Sequence, residues 1–144
     1  MVPAWLWPDV ADARMRSAVL QNAVLTAASV AVSYVLDPLW LFATGHALFA
    51  APIDGADVAT LAATSAALAA LAATVAWSLW RAPSRIAAAL LIAITAFEAA
   101  EGLAGQPPSC LTAALWTWGW FYALHGYRVV TAAALMPERL RRQG

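Results

Sequence analysis

For 20 consecutive residues, Ser17 to Leu36, the chain carries no charged side chain, and for 23 more, Val58 to Trp80, it again carries none. Ile86 to Ala104 is apolar apart from Glu98 and Glu101, and Ser109 to Tyr127 holds no formal charge, with His125 near its end. An α-helix of about 20 residues, rising 1.5 Å per residue, crosses a hydrocarbon core about 30 Å thick. Backbone N–H and C=O groups in lipid must bond within their own segment, so each run is expected to be helical. Composition agrees: 63% of the chain is hydrophobic and 11% charged, against roughly 45–50% and about 25% in soluble domains. A chain of 144 residues folded in water has too little interior to hide that much apolar surface. The expected fold is therefore all-α, a single four-helix transmembrane domain with approximate spans 17–36, 58–80, 85–104 and 109–131.

Local signals punctuate these runs. Asp37-Pro38 is expected to end the first helix, because the residue before proline avoids the α region. Asp54 and Asp57 are candidate N-caps for the second. Pro83-Ser84 separates the second from the third, Gly102 and Gly105 suit the third helix's end, and Pro107-Pro108 precedes the fourth.

Charge sets the orientation. The eight basic residues are all arginine: Arg14 and Arg16 before the first span, Arg81 and Arg85 between the second and third, and Arg128, Arg139, Arg141 and Arg142 at the end of the fourth or beyond it. The other two loops contain none. All eight then fall on one side, which the positive-inside rule places in the cytoplasm. The reading is a multi-pass protein of a bacterial-type cytoplasmic (inner) membrane, with both termini inside. Leu39 to Ile53, an apolar stretch of 15 residues containing His46, is short for a span at roughly 22 Å. A fifth span there would also split the arginines between the two sides. It is expected to form a short outer-face helix or re-entrant segment between helices 1 and 2. Trp77 and Trp80, at the inner end of the second span, and Trp40, near the outer surface, suit the aromatic belts of a bilayer. Trp5 and Trp7 suit a short interfacial anchor.

Several function classes are excluded or left without support. The net charge is zero, so no basic face invites nucleic acid. The single cysteine, Cys110, supports neither an internal disulfide nor a thiolate zinc site. No Ser/His/Asp set, phosphate loop or thiol pair points to an enzyme.

Function must therefore rest on the few polar groups inside the spans. Asn22, Thr26, Ser29 and Ser33 share one face of the first helix by their four-three-four spacing, and Thr60, Thr64, Thr74 and Ser78 share one face of the second. Hydroxyl and small side chains let helix backbones approach in lipid, so these are helix-packing candidates. The alternative is a lined pathway for a small solute. Glu98 and Glu101 are neighbours on the third helix, roughly 20 and 25 Å from Ser84 along its axis. A carboxylate at membrane depth is costly and is a functional candidate by default. His125 lies towards the inner end of the fourth helix with Tyr122 before it and Arg128 after it, near Trp116 and Trp120. A haem, a chlorin or a quinone is conceivable there. A haem shared with His46 is disfavoured by an axial separation of roughly 20 Å. His46, Asp54, Asp57, Glu98 and Glu101 all fall near the outer face and form a weak candidate metal set, since imidazole and hard oxygen ligands suit a divalent ion.

Three roles follow. The first is a non-catalytic packing or accessory subunit of a homo-oligomer or of a complex with other membrane subunits, in contact with the lipid bilayer. The second is a small transporter or channel using Glu98 as its coupled carboxylate. The third is a redox subunit binding quinone, haem or metal at His125 or at the outer-face acids. Nothing in the residues fixes a cofactor.

Overall fold

A computed structural model describes residue 9 and residues 11–44, 58–104 and 110–135. They form four α-helices: α1 (Ala13–Thr44), α2 (Val58–Arg81), α3 (Arg85–Ala104) and α4 (Cys110–Leu135). No strand occurs among the described residues.

Side chains close two of the helix starts. The Asp12 carboxylate accepts the Arg14 N–H at 2.8 Å, and the Ser84 hydroxyl oxygen accepts the Ala87 N–H at 3.1 Å. Each takes up a backbone donor that the first helical turn leaves without an intrahelical partner.

The first helix does not stop at Asp37-Pro38. It runs through Pro38 to Thr44, so Leu39 to Thr44 continues α1 and is not a separate outer-face or re-entrant segment. A proline inside a helix removes one N–H donor and crowds the carbonyl four residues earlier, here that of Tyr34. That local loss leaves the remaining bonds of a 32-residue helix in place. Residues 45–57, with His46, Asp54 and Asp57, lie outside the described residues, as do Trp5 and Trp7.

The helices alternate in direction. A three-residue turn joins α2 to α3, and five residues join α3 to α4. Five residues reach at most about 18 Å, too short to return along a helix of about 30 Å, so α3 and α4 are antiparallel. The α1–α4 contacts pair Ala23 with Gly126 and Thr26 with Gly119, numbers running in opposite senses, so these helices are antiparallel as well. Each helix packs against its sequence neighbours, and α4 closes the ring on α1. Arg14, Arg16, Arg81, Arg85 and Arg128 consequently gather at one end of an up-down-up-down bundle.

The core is made largely of alanine. Ala23, Ala27, Ala72, Ala87, Ala88 and Ala123 pack with Val30, Val75, Leu79, Leu91, Ile94 and Val130. Larger apolar side chains point outward, including Leu25, Phe42, Ile86, Trp118 and Leu135. This arrangement is inverted relative to a soluble bundle, whose larger apolar residues fill the interior. Two helical segments, Ala13–Thr44 and Ala62–Arg81, are long and apolar enough to cross a membrane. Only 22% of the most apolar stretch of each is buried within the chain, unlike the core helix of a soluble protein.

Candidate functional site

Helices α1 and α4 meet closely along a seam that contains two glycines. On α4 it is built from Gly119, Ala123, Gly126 and Val130, spaced four, three and four residues apart and all buried. On α1 it is met by Ala23 and Thr26. A Cβ placed on Gly126 would lie 3.0 Å from the Ala23 Cβ, so the backbones approach as closely as a missing side chain allows. At Gly119 the space is bounded by two methyl groups, Thr26 Cγ2 at 3.6 Å and Thr95 Cγ2 at 3.8 Å. Small residues at an interface give helices in lipid this close approach, where dispersion replaces the hydrophobic effect as the driving force.

His125 sits beside this seam and is 5% exposed. Arg128 Nη1 lies 2.7 Å from His125 Nδ1. Arginine has five N–H donors and no acceptor, so the guanidinium donates and Nδ1 accepts. The imidazole proton then resides on Nε2. The Phe121 ring stands edge-to-face against the imidazole, centroids 4.3 Å apart at 62°. Phe121 also meets Tyr122 at 5.2 Å, and Tyr122 meets Trp118 at 4.7 Å. A metal-ligating histidine normally donates its second ring N–H to an acceptor, leaving the other nitrogen's lone pair for the metal. Here Nδ1 faces a cationic donor and Nε2 holds the proton. This arrangement suits a structural hydrogen bond between histidine and arginine better than ligation of iron or a chlorin.

Glu98 is half-buried. It extends the inward row of α3, formed by Ala87, Ala88, Leu91, Ile94 and Thr95. Towards the arginine end, that row leads into a packed interior: Leu91 and Val129 are each 1% exposed and Leu79 2%. The Thr95 hydroxyl donates to its own helix, to Leu91 O at 3.0 Å and Ile92 O at 3.1 Å. Glu101 lies on α3 one turn further on, and its side chain is outside those described. Of the outer-face set His46, Asp54, Asp57, Glu98 and Glu101, only the Glu98 side chain is described. Among the described residues no three His, Cys, Asp or Glu side chains come together as a metal site.

The two hydroxyl rows part company in the fold. On α1, Thr26 is buried, Asn22 and Ser33 are half-buried and Ser29 is exposed, so this row borders the seam. On α2, Thr60, Thr64 and Thr74 are exposed and Ser78 is half-buried, while Ala69, Ala72, Val75 and Leu79 carry the inward packing. In both rows hydroxyls donate to carbonyls of their own helix. Thr26 bonds Asn22 O at 2.9 Å and Ser29 bonds Leu25 O at 2.8 Å. Ser33 bonds Val30 O and Thr64 bonds Thr60 O, each at 2.8 Å, and Thr74 bonds Ala70 O at 2.7 Å.

Gly119, Gly126 and Thr95 are the packing residues that the polar groups alone did not indicate. For Gly119 and Gly126 the sequence holds a four-three-four row with Ala123 and Val130 on α4, which acquires meaning only against the facing Ala23 and Thr26. No protein-family model, curated protein or solved structure matches the chain.

Proposed function

We propose that this chain is a four-span protein of a bacterial-type cytoplasmic membrane, both termini in the cytoplasm. In this reading it acts as a non-catalytic packing subunit, associating with copies of itself or with other membrane subunits. The observation that carries the reading is the outward surface. Large apolar side chains face away from an alanine core, and the hydroxyls of Ser29, Thr64, Thr74 and Thr117, exposed among them, donate to carbonyls of their own helices. Those stretches can meet lipid or another helix without leaving these hydroxyls unsatisfied. One part of it is concave: Leu25, Ala28, Ser29, Val32, Ser33 and Leu36 line a shallow groove along α1. Ala28, Ser29 and Ser33 give that groove the small floor on which a foreign helix packs closely.

A second reading, transport coupled to Glu98, draws on that carboxylate's place in the inward row of α3. Against it, the row on α3 beyond Thr95 towards the arginine end is apolar: Leu91, Ala88 and Ala87 are all buried.

The test is native mass spectrometry of the chain gently extracted from its own membrane, with Ser29→Trp alongside to fill the groove. The packing reading expects an assembly larger than the 15.2 kDa chain and a shift towards the single chain in Ser29→Trp. A wild-type chain that arrives alone contradicts it.

A further inference from the structure

We propose that the turn between α2 and α3 binds the phosphate headgroup of an anionic membrane lipid, held by Arg81 and Arg85 beside an exposed tryptophan pair. This rests on the spanning reading above.

Three observations converge on the turn. Trp77 and Trp80, in the last turn of α2, are 64% and 68% exposed. They are the only two tryptophans on this helix, and both leave their rings outside the bundle. The Arg81 guanidinium carbon lies 5.3 Å from the Trp77 ring centroid, within reach of a cation–π attraction. That contact orders a cation at the level where aromatic rings mark the headgroup region. Arg85 follows four residues later, also exposed, and Ile86 beside it is 75% exposed. An apolar side chain next to two cations matches a lipid, whose acyl chain and phosphate are adjacent.

The charge is uncompensated along this hairpin. From Val58 to Phe97 the chain contains no acidic residue. Among the described residues Arg81 and Arg85 form no ion pair. The described acids just ahead of α1 are engaged by backbone: Asp9 accepts the Ala11 N–H at 2.9 Å and Asp12 the Arg14 N–H at 2.8 Å. The α3 helix also begins here: the Ser84 hydroxyl caps the Ala87 N–H, and the N–H groups of Arg85 and Ile86 precede the first backbone bond of the helix, from Ala88 to the Ser84 carbonyl. Such donors favour an anion. Guanidinium groups match phosphate oxygens in a planar fork, so the ligand expected is a phosphodiester with net negative charge, not a zwitterionic headgroup.

The experiment uses the full chain in vesicles of equal parts phosphatidylglycerol and phosphatidylcholine with matched acyl chains. After a carbonate wash, the lipids that stay bound on gentle extraction are counted by native mass spectrometry. The wild type is expected to retain phosphatidylglycerol preferentially. The preference should fall about fivefold for each arginine removed in Arg81→Gln and Arg81→Gln/Arg85→Gln, from roughly 1 kcal/mol per basic residue near an anionic surface. Arg14→Gln, which removes a cation at the same end but outside the turn, should change it by less than about twofold, whereas diffuse surface charge would cost it the same roughly 1 kcal/mol as either turn arginine. An equal fall in Arg14→Gln overturns the site in favour of diffuse surface charge. Equal retention of both lipids by a wild-type chain that survives the wash overturns the site alone. A chain stripped by carbonate overturns the spanning reading and the site with it.

Discussion

Replacing Gly126 by leucine is expected to push α4 off α1 and destabilise the bundle by about 3 kcal/mol, at the upper end of the usual cost of overpacking a core. The reason is geometric. A first carbon at this position already meets Ala23 Cβ at 3.0 Å, and Ala23 is a short side chain, 1% exposed, with no rotamer to swing away. Relief must come from moving a backbone. Gly126→Ala asks for only a few tenths of an ångström, so it should cost much less, offset in part by alanine's better helix propensity of roughly 1 kcal/mol. Unfolding of the purified chain in a graded denaturing detergent, followed by far-UV circular dichroism, separates the two variants. Equal midpoints for Gly126→Leu and the wild type would show that the α1–α4 seam is not close-packed.

Leu91→Ala is the second large effect. Leu91 is 1% exposed at the centre of α3's inward row, and its removal leaves a cavity that a row of alanines cannot collapse to fill. Buried leucine truncations in water-soluble proteins cost about 2–5 kcal/mol, the sum of a transfer term and a cavity term. If the helices unfold into lipid, the transfer term is small, because lipid tails are as apolar as the core. The expected cost is therefore about 2 kcal/mol, the low end of that range. Leu25→Ala, at an outward position on the same bundle, should cost far less. The same detergent titration reads both, and a reversed order would mean that the inward and outward faces are misassigned.

The four helices were legible because long apolar runs with few or no charged residues mark them in the sequence. The end of α1 was not. Asp37-Pro38 carries an end signal, yet a proline inside a helix removes a single N–H donor, and the other bonds of the 32-residue α1 carry it through to Thr44. On α2, Thr60, Thr64 and Thr74 are exposed and Ser78 is half-buried, and periodicity alone does not give the direction in which a face points. In water the contrast between a polar and an apolar side supplies that direction. On α2 the inward face is Ala72, Val75 and Leu79 and the outward face includes Leu71, Trp77 and Trp80, so both are apolar and the contrast is lost. The pairing of His125 with Arg128 follows from their separation of three residues. The seam at Gly119 and Gly126 was hidden for a different reason: glycine within a helix lowers its propensity, and its value appears only when the facing Ala23 and Thr26 are known.

The central claim is that the five arginines gathered at one end of the described bundle lie on the inner side of a membrane crossed four times. Cysteine accessibility tests it most directly, in a chain whose own thiol has been removed by Cys110→Ser. A cysteine placed at Ala82, in the α2–α3 turn, should react with a membrane-impermeant maleimide only after the cells are opened. One placed at Asp57, ahead of α2, should react in intact cells. Labelling of the Ala82 position from outside, or identical behaviour of the two positions, would contradict the four-span arrangement.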